Sequence, residues 1–182
     1  MKALLIVDVQ NDFCPGGALP APNGNVIVPV INSLFERFPL IIASRDWHPK
    51  NTRHFEKWPV HCVQGTVGAE YNPKLNTEEI DIELLKGTSD IDDGYSAFEA
   101  TNLNLNDFLR SREVTDVFIT GLTTEYCVKN TATDSLRNGF NTFMVTDAIA
   151  AVEPGSENEK TTLLELKEMG ARLLKIQYVH QT

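Results

Sequence analysis

The stretch VTDVFITGLTTEYCVKNTATDSLRNGF, residues 114–140, decides the fold. Its early part carries VFIT at 117–120, a short apolar run without alternation, which reads as a strand buried on both faces. From about Glu125 to Asn138 the pattern becomes helical, and Gly139 supplies the stop. A strand that runs straight into a helix is a βα unit. Cys127 falls three residues past the pair Thr123-Thr124, on the first turn of that helix. Unpaired N–H groups and a positive dipole at a helix start favour a thiolate, so a reactive cysteine is expected here. The plainer alternative is a buried cysteine acting as a small hydrophobe.

Further runs of the same kind lie on either side: ALLIV at 3–7, LIIA at 40–43, IELL at 82–85, TFMV at 142–145 and RLLKI at 172–176. Helical patterns separate several of them. Ile27, Val30, Ile31, Leu34 and Phe38 share one face, with Pro29 near the helix start; a second helix covers roughly 103–112; a fourth opens on Ser156 and Glu159, spaced as a capping box, and ends at Gly170. This alternation predicts a three-layer α/β/α, Rossmann-like fold with a six-stranded, mostly parallel sheet in one domain spanning 1–182. Ligands of such sheets bind beyond the carboxyl ends of the strands, near the switch in strand order. Asp8, Asp46, Lys86 and Cys127 each stand at or just past such an end. The stretch at about 46–77, loop-rich from Pro49 onward, reads as an insertion that carries function.

The chain has 182 residues, 42% of them hydrophobic, enough for one proper core. Its 16 Lys and Arg against 25 Asp and Glu leave a net charge of -9, which repels nucleic acid and anionic membrane surfaces. The opening MKALLIVDVQ is too short an apolar stretch for a signal peptide, and no run is long enough to span a bilayer. Three cysteines at no framework spacing fit a reducing compartment, so the expected location is the cytoplasm.

Two groups of residues suggest chemistry. Asp8 is a carboxylate at the rim of a buried strand, there either to cap a neighbour or to titrate. Lys86 ends IELL; a solvated lysine is its ordinary reading, yet beside Asp8 and Cys127 it completes a base, a cation and a nucleophile. The second group is Asp46, His48, His54 and His61 in SRDWHPKNTRHFEKWPVHC. Asp-x-His puts two side chains on one face of an extended segment, and two more imidazoles nearby can close the shell of a divalent metal such as zinc or iron; the spacing also arises by chance. His180 has no such company and reads as a surface residue.

MKALLIVDVQNDFCPGG, RDWHP with WPVHCVQGT, LLKGT followed by GYSAF, and GLTTEYCVKNTATDSLRNGF with MVTDA together resemble the nicotinamidases of the isochorismatase-like cysteine hydrolases, along nearly the whole chain. The resemblance implies that Cys127 attacks the carboxamide of nicotinamide to form a thioester, that Asp8 serves as general base and acid, and that Lys86 offsets negative charge. It implies an oxyanion hole at the N–H groups of Thr123 and Cys127, with a cis peptide between Leu122 and Thr123. It assigns one divalent metal, zinc with iron or manganese as alternatives, to Asp46, His48 and His61, with His54 as a fourth ligand at a position where family members differ. Phe13, Trp58, Tyr95 and Tyr126 match the pocket walls.

The activity implied is hydrolysis of nicotinamide, and of the near-isostere pyrazinamide, to the carboxylate and ammonia in NAD salvage; homo-oligomerisation is a family-level expectation. Thr123 replaces the alanine of many relatives and Glu125 the aspartate. Gln10 is expected to orient Asp8, Cys14 to be passive, and Cys62 to be structural because it faces away from its neighbour His61. Another carboxamide or ureido hydrolase using the same triad, and a non-catalytic small-molecule binder, are the alternatives; the metal separates the first and turnover the second.

Overall fold

The strands β1 (Lys2–Val7), β2 (Ile41–Asp46), β3 (Ile82–Lys86), β4 (Asp116–Leu122), β5 (Asn141–Ala150) and β6 (Arg172–Leu174) form one sheet in the order β3-β2-β1-β4-β5-β6. This is a computed structural model that describes residues 1–179, so His180 lies outside the described residues. All six apolar runs became strands, and every pairing between them is parallel, where a mostly parallel sheet was expected.

The central strand explains the lack of alternation. Leu4 and Ile6 face one core with Ile27, Ile31 and Leu34, while Ala3, Leu5 and Val7 face another with Leu105, Leu109, Val128, Ala132 and Leu166. With a helical layer on each side, both faces of β1 must be apolar. Helix α1 (Ile27–Asn32) contributes to the first layer; α2 (Leu105–Ser111), α3 (Lys129–Arg137) and α4 (Glu157–Glu168) contribute to the second. No helix among the described residues is long and apolar enough to cross a membrane.

Two helices depart from their expected form. The face from Ile27 to Phe38 is not one helix: α1 stops at Asn32 and a separate 3-10 turn covers Phe35–Arg37. The Ser33 hydroxyl donates to Val30 O at 2.7 Å, and Leu34 N reaches Ile31 O rather than the carbonyl four residues back, so the ladder tightens and ends. The helix expected from Glu125 begins instead as a π-turn, Thr124–Val128, before α3 takes over. At α4 the cap is as read: Ser156 Oγ accepts from Glu159 N, although the Glu159 carboxylate returns to Gly155 N rather than to the cap residue itself.

The order places β1 between β2 and β4, so the sheet is wound in both directions from β1. A crevice opens where the connections diverge, beyond the carboxyl ends of β1 and β4. Gly121 sits there at φ +108°, where the β4–β5 register shifts, and a Cβ on it would stand 2.0 Å from Val7 O. Only glycine fits both the conformation and the gap. Gly121→Ala is therefore expected to cost at least about 2 kcal/mol of stability, measured by denaturant unfolding, or to prevent soluble expression.

Candidate active site

Lys86 ends β3 with a fully buried side chain. Its ammonium stands 2.7 Å from Asp8 Oδ2, bonds Asp46 Oδ1 and Gly94 O, and lies 3.6 Å from Cys127 Sγ. Asp8 follows β1 in a left-handed conformation, φ +50°, which turns it off the strand. Its N–H donates to Ser44 O and its Oδ1 accepts from Ser44 Oγ at 2.8 Å. Asp46 ends β2, in register with Lys86. Carboxylate oxygens of Asp8 and Asp46 and the sulfur of Cys127 all lie within 4.8 Å of one another.

Burial and charge set the protonation here. Burial lifts the Asp8 carboxyl above its ordinary range, against the opposing pull of Lys86. Burial also acts to raise Asp46, but Lys86 and His48 outweigh it and hold that carboxyl well below the ordinary range. Lys86 is disfavoured as a cation by burial, yet Asp46 and Asp8 overcome this and raise it. Burial pushes the Cys127 thiol well up, and Lys86 offsets only part of that. The thiolate expected from the helix start is thus corrected: burial, with the neighbouring carboxyls of Asp8 and Asp46 acting in the same direction, holds the thiol up, and it keeps its proton until a base removes it. Asp8, with its own proton affinity raised, is the base within reach.

The loop after β2 brings three imidazoles together. A ring nitrogen from each of His48, His54 and His61 lies within 4.8 Å of the others, and Asp46 Oδ2 stands 3.6 Å from His48 Nε2 and 3.9 Å from His61 Nε2. The opposite nitrogens are all engaged: His48 Nδ1 donates to Gly87 O, His61 Nδ1 to Pro59 O and His54 Nδ1 to Asp92 Oδ1. Oxygen acceptors on Nδ1 put the proton there and leave Nε2 as a lone pair. Desolvation keeps His61 below its ordinary value and brings His54 down to about 4, so both are neutral imidazoles at pH 7. His48 Nε2 is buried with no hydrogen-bond partner.

Gly87 and Gly94 make room for this arrangement. A Cβ on Gly87 would stand 2.4 Å from the His48 ring, and one on Gly94 would stand 2.6 Å from Gly87 N.

Cys127, Asp46, His54 and His61 open onto one concave cavity, walled by Phe13, Trp58, Tyr95, Tyr126 and Thr123 among others, and this mainly apolar, aromatic lining with a few convergent polar groups suits a small organic molecule. Trp58 meets Tyr126 edge-on at 5.0 Å, Phe13 lies 5.3 Å from His61, and Trp58 Nε1 donates to Tyr95 Oη. The peptide between Leu122 and Thr123 is cis. Glu125 accepts from Val152 N and Glu153 N, tying the π-turn to the segment whose Val152 also lines the cavity.

One assignment changes. Gln10 does not orient Asp8: its Oε1 accepts from Asp46 N and its Nε2 donates to Asp46 O and Ala69 O, so it fixes the backbone at the end of β2. The partner of Asp8 is Ser44, which the sequence reading missed. It faces β1 beside Val7, a neighbourhood visible only once the β1–β2 register is known. Asp92 was missed as well, because nothing in TSDIDDG distinguishes it from its acidic neighbours. Cys62 is buried, its N–H donating to Asp12 Oδ2, and Cys14 accepts from Asn72.

The profile of the isochorismatase domain matches residues 2–177. The nicotinamidase of Escherichia coli (strain K12) is 36% identical, covering 94% of this chain and 93% of that protein. The zinc complex of Pyrococcus horikoshii pyrazinamidase superposes with a TM-score of 0.87 at 41% identity, over 96% of this chain and 99% of the other. PnC1 from L. infantum, in complex with nicotinate, gives 0.91 at 35% identity, over 97% and 93%.

Replacing the ammonium at the centre of the site has a calculable consequence. Lys86→Met leaves Asp8 and Asp46 buried without their cation, so unfolding free energy at pH 7.5 is expected to fall by about 3–5 kcal/mol. An unpaired buried carboxylate has its folded-state pKa above its unfolded value, so the deficit is full at high pH and shrinks as the pH falls. Urea unfolding at pH 7.5 and pH 5 measures both.

Proposed function

Because the chain belongs to the isochorismatase family, we propose that this cavity is the active site of a nicotinamidase, in which Cys127, Asp8 and Lys86 hydrolyse nicotinamide to nicotinate and ammonia. The observation that carries the assignment is the shared cavity. The Cys127 thiol, the Asp46 carboxylate and the His54 and His61 imidazoles line the same small space, flanked by aromatic walls, with Asp8 within 4.8 Å of the thiol and a His48 ring nitrogen within 4.8 Å of those of His54 and His61.

The reaction follows from the protonation states. Asp8 takes the Cys127 proton as Sγ attacks the carboxamide carbon, forming the C–S bond and placing the negative charge on the carbonyl oxygen. Lys86 lies 3.6 Å from the sulfur and stabilises charge as it develops there. The N–H groups of Thr123 and Cys127 receive the oxyanion; removal of one such donor typically costs on the order of 3 kcal/mol of barrier stabilisation. Collapse of the adduct breaks the C–N bond, and the proton on Asp8 goes to the departing nitrogen, which leaves as ammonia. The thioester then meets water. Asp8 accepts a proton from the water as its oxygen adds to the carbonyl; when the C–S bond breaks, that proton passes from Asp8 to Sγ, which returns Cys127 as a thiol and Asp8 as a base, and the released acid ionises to nicotinate.

The residues fit a divalent metal. His48 Nε2 is an orphaned buried lone pair, and the separations of 3.6 and 3.9 Å from Asp46 Oδ2 approach the roughly 3.4 Å between neighbouring ligands of a tetrahedral ion. Asp46, His48, His54 and His61 would hold it, with Asp46 Oδ1 reserved for Lys86. Three imidazoles and one carboxylate suit zinc better than manganese, and iron is the alternative. Bound there, the ion supplies a Lewis-acid anchor for the pyridine nitrogen. Phe13, Trp58, Tyr95 and Tyr126 would pack the ring and exclude water, an environment equally open to pyrazinamide. Free cysteines and net negative charge support a cytoplasmic place in pyridine-nucleotide salvage.

Cys127→Ala is expected to lower ammonia release from nicotinamide by at least 10⁴-fold, as loss of a covalent nucleophile does elsewhere, with nicotinamide binding retained. Retained turnover excludes the mechanism. Chelation is expected to remove nicotinamidase activity, and zinc to restore it; full activity in a preparation shown to be metal-free would overturn the assignment of the histidine cluster.

A further inference from the structure

We propose that Asp92 is a positioning residue that ties the metal ligand His54 to the aromatic wall of the substrate cavity. The proposal rests on the reading of the site as a metal-dependent amidase and adds a residue outside its catalytic and ligand sets.

The three histidines are not oriented alike. His48 and His61 donate to backbone carbonyls, those of Gly87 and Pro59, whereas His54 donates to a side chain, Asp92 Oδ1, at 3.0 Å. That same oxygen accepts from Tyr95 Oη at 2.6 Å, and Tyr95 Oη in turn accepts from Trp58 Nε1 at 2.8 Å. Trp58 lies nearly parallel to the His54 ring, 6.4 Å between centroids. One carboxylate oxygen therefore sets both the His54 ring and two of the aromatic side chains that wall the cavity, Tyr95 directly and Trp58 through it. The other oxygen is bonded by Lys57, so the carboxylate is held at both ends.

The loop that carries Asp92 is anchored. Thr52 Oγ1 donates to Ser89 O, Arg53 N donates to Asp90 Oδ1, and Gly94 N and Tyr95 N both donate to Glu99 Oε2. The segment after β3 is thereby clipped to the segment bearing His54 and Trp58. An anionic acceptor on Nδ1 fixes the tautomer and raises the basicity of Nε2, as carboxylates behind metal-bound histidines do. Because the acceptor is shared with the wall, metal binding that orders His54 also orders Tyr95 and Trp58. By linkage, a nicotinamide that orders the wall strengthens metal binding by the same factor.

The test uses metal-free full-length protein titrated with cobalt(II), read by its visible absorption and by chelator competition, alongside steady-state kinetics at saturating zinc. Asp92→Ala is expected to weaken cobalt binding by roughly 10- to 100-fold, to change the ligand-field spectrum, and to raise KM for nicotinamide more than it lowers kcat. Asp92→Asn keeps one neutral acceptor, so its losses should be smaller, and it serves if the alanine variant does not fold. Tyr95→Phe cuts only the branch to the wall: KM rises while cobalt affinity in the absence of nicotinamide stays at the wild-type value. Wild-type affinity and spectrum in both Asp92 variants overturn the proposal. Failure of the functional reading looks different: the wild-type protein then shows no ammonia release from nicotinamide, whatever cobalt does.

Discussion

A single ammonium group holds the site together. Lys86 is buried where β1, β2 and β4 end, and its charge is shared between Asp8 on one side and Asp46 on the other. Two carboxylates this close and this dry repel each other, and either would take up a proton without a cation between them. With it, the two diverge. Asp46 is held firmly ionised, fit to be a metal ligand, while Asp8 keeps a raised proton affinity, fit to accept a proton from a thiol. In the proposed reaction one lysine thus serves both halves of the site.

That lysine is placed by the sheet. β1, β2 and β3 each contribute their last residue or the one just beyond, β4 leads into the π-turn that carries Cys127, and parallel pairing aligns all of those ends on one edge. Asp8, Asp46, Lys86 and Cys127 are remote along the chain but become neighbours because β2, β1 and β4 are adjacent and β3 flanks β2. The glycines at this edge serve the same end. Gly121 lets β4 pass close to β1, and Gly87 leaves the space that the His48 ring fills.

Around this core the site is built from loops, and its precision comes from the groups behind the front residues. Each histidine presents Nε2 because something occupies Nδ1, and Gln10 fixes the backbone from which Asp46 projects. The cavity walls are similarly tied, Trp58 to Tyr95 and Tyr95 to Asp92. An imidazole and an aromatic wall that share one hydrogen-bond acceptor do not move independently.

The amino-acid sequence by itself determined the strands, since apolar runs such as ALLIV and VFIT have no stable place except between two covering layers. It also determined which residues stand at strand ends and that Asp46, His48, His54 and His61 fall in one loop-rich stretch, because these depend on local pattern and spacing. Local pattern reached its limit at the helix starts. The π-turn before α3 and the break at Ser33 arise from hydrogen bonds that compete with the α-helical ladder, which residue periodicity does not report. Tertiary structure alone decided that Ser44 rather than Gln10 supports Asp8, and that Asp92 stands behind His54. It also decided that Cys127 rests as a thiol, because the burial that raises it is a property of the whole assembly. Partners brought together across 36 or 38 positions of chain leave no trace in spacing; only the folded register makes them neighbours.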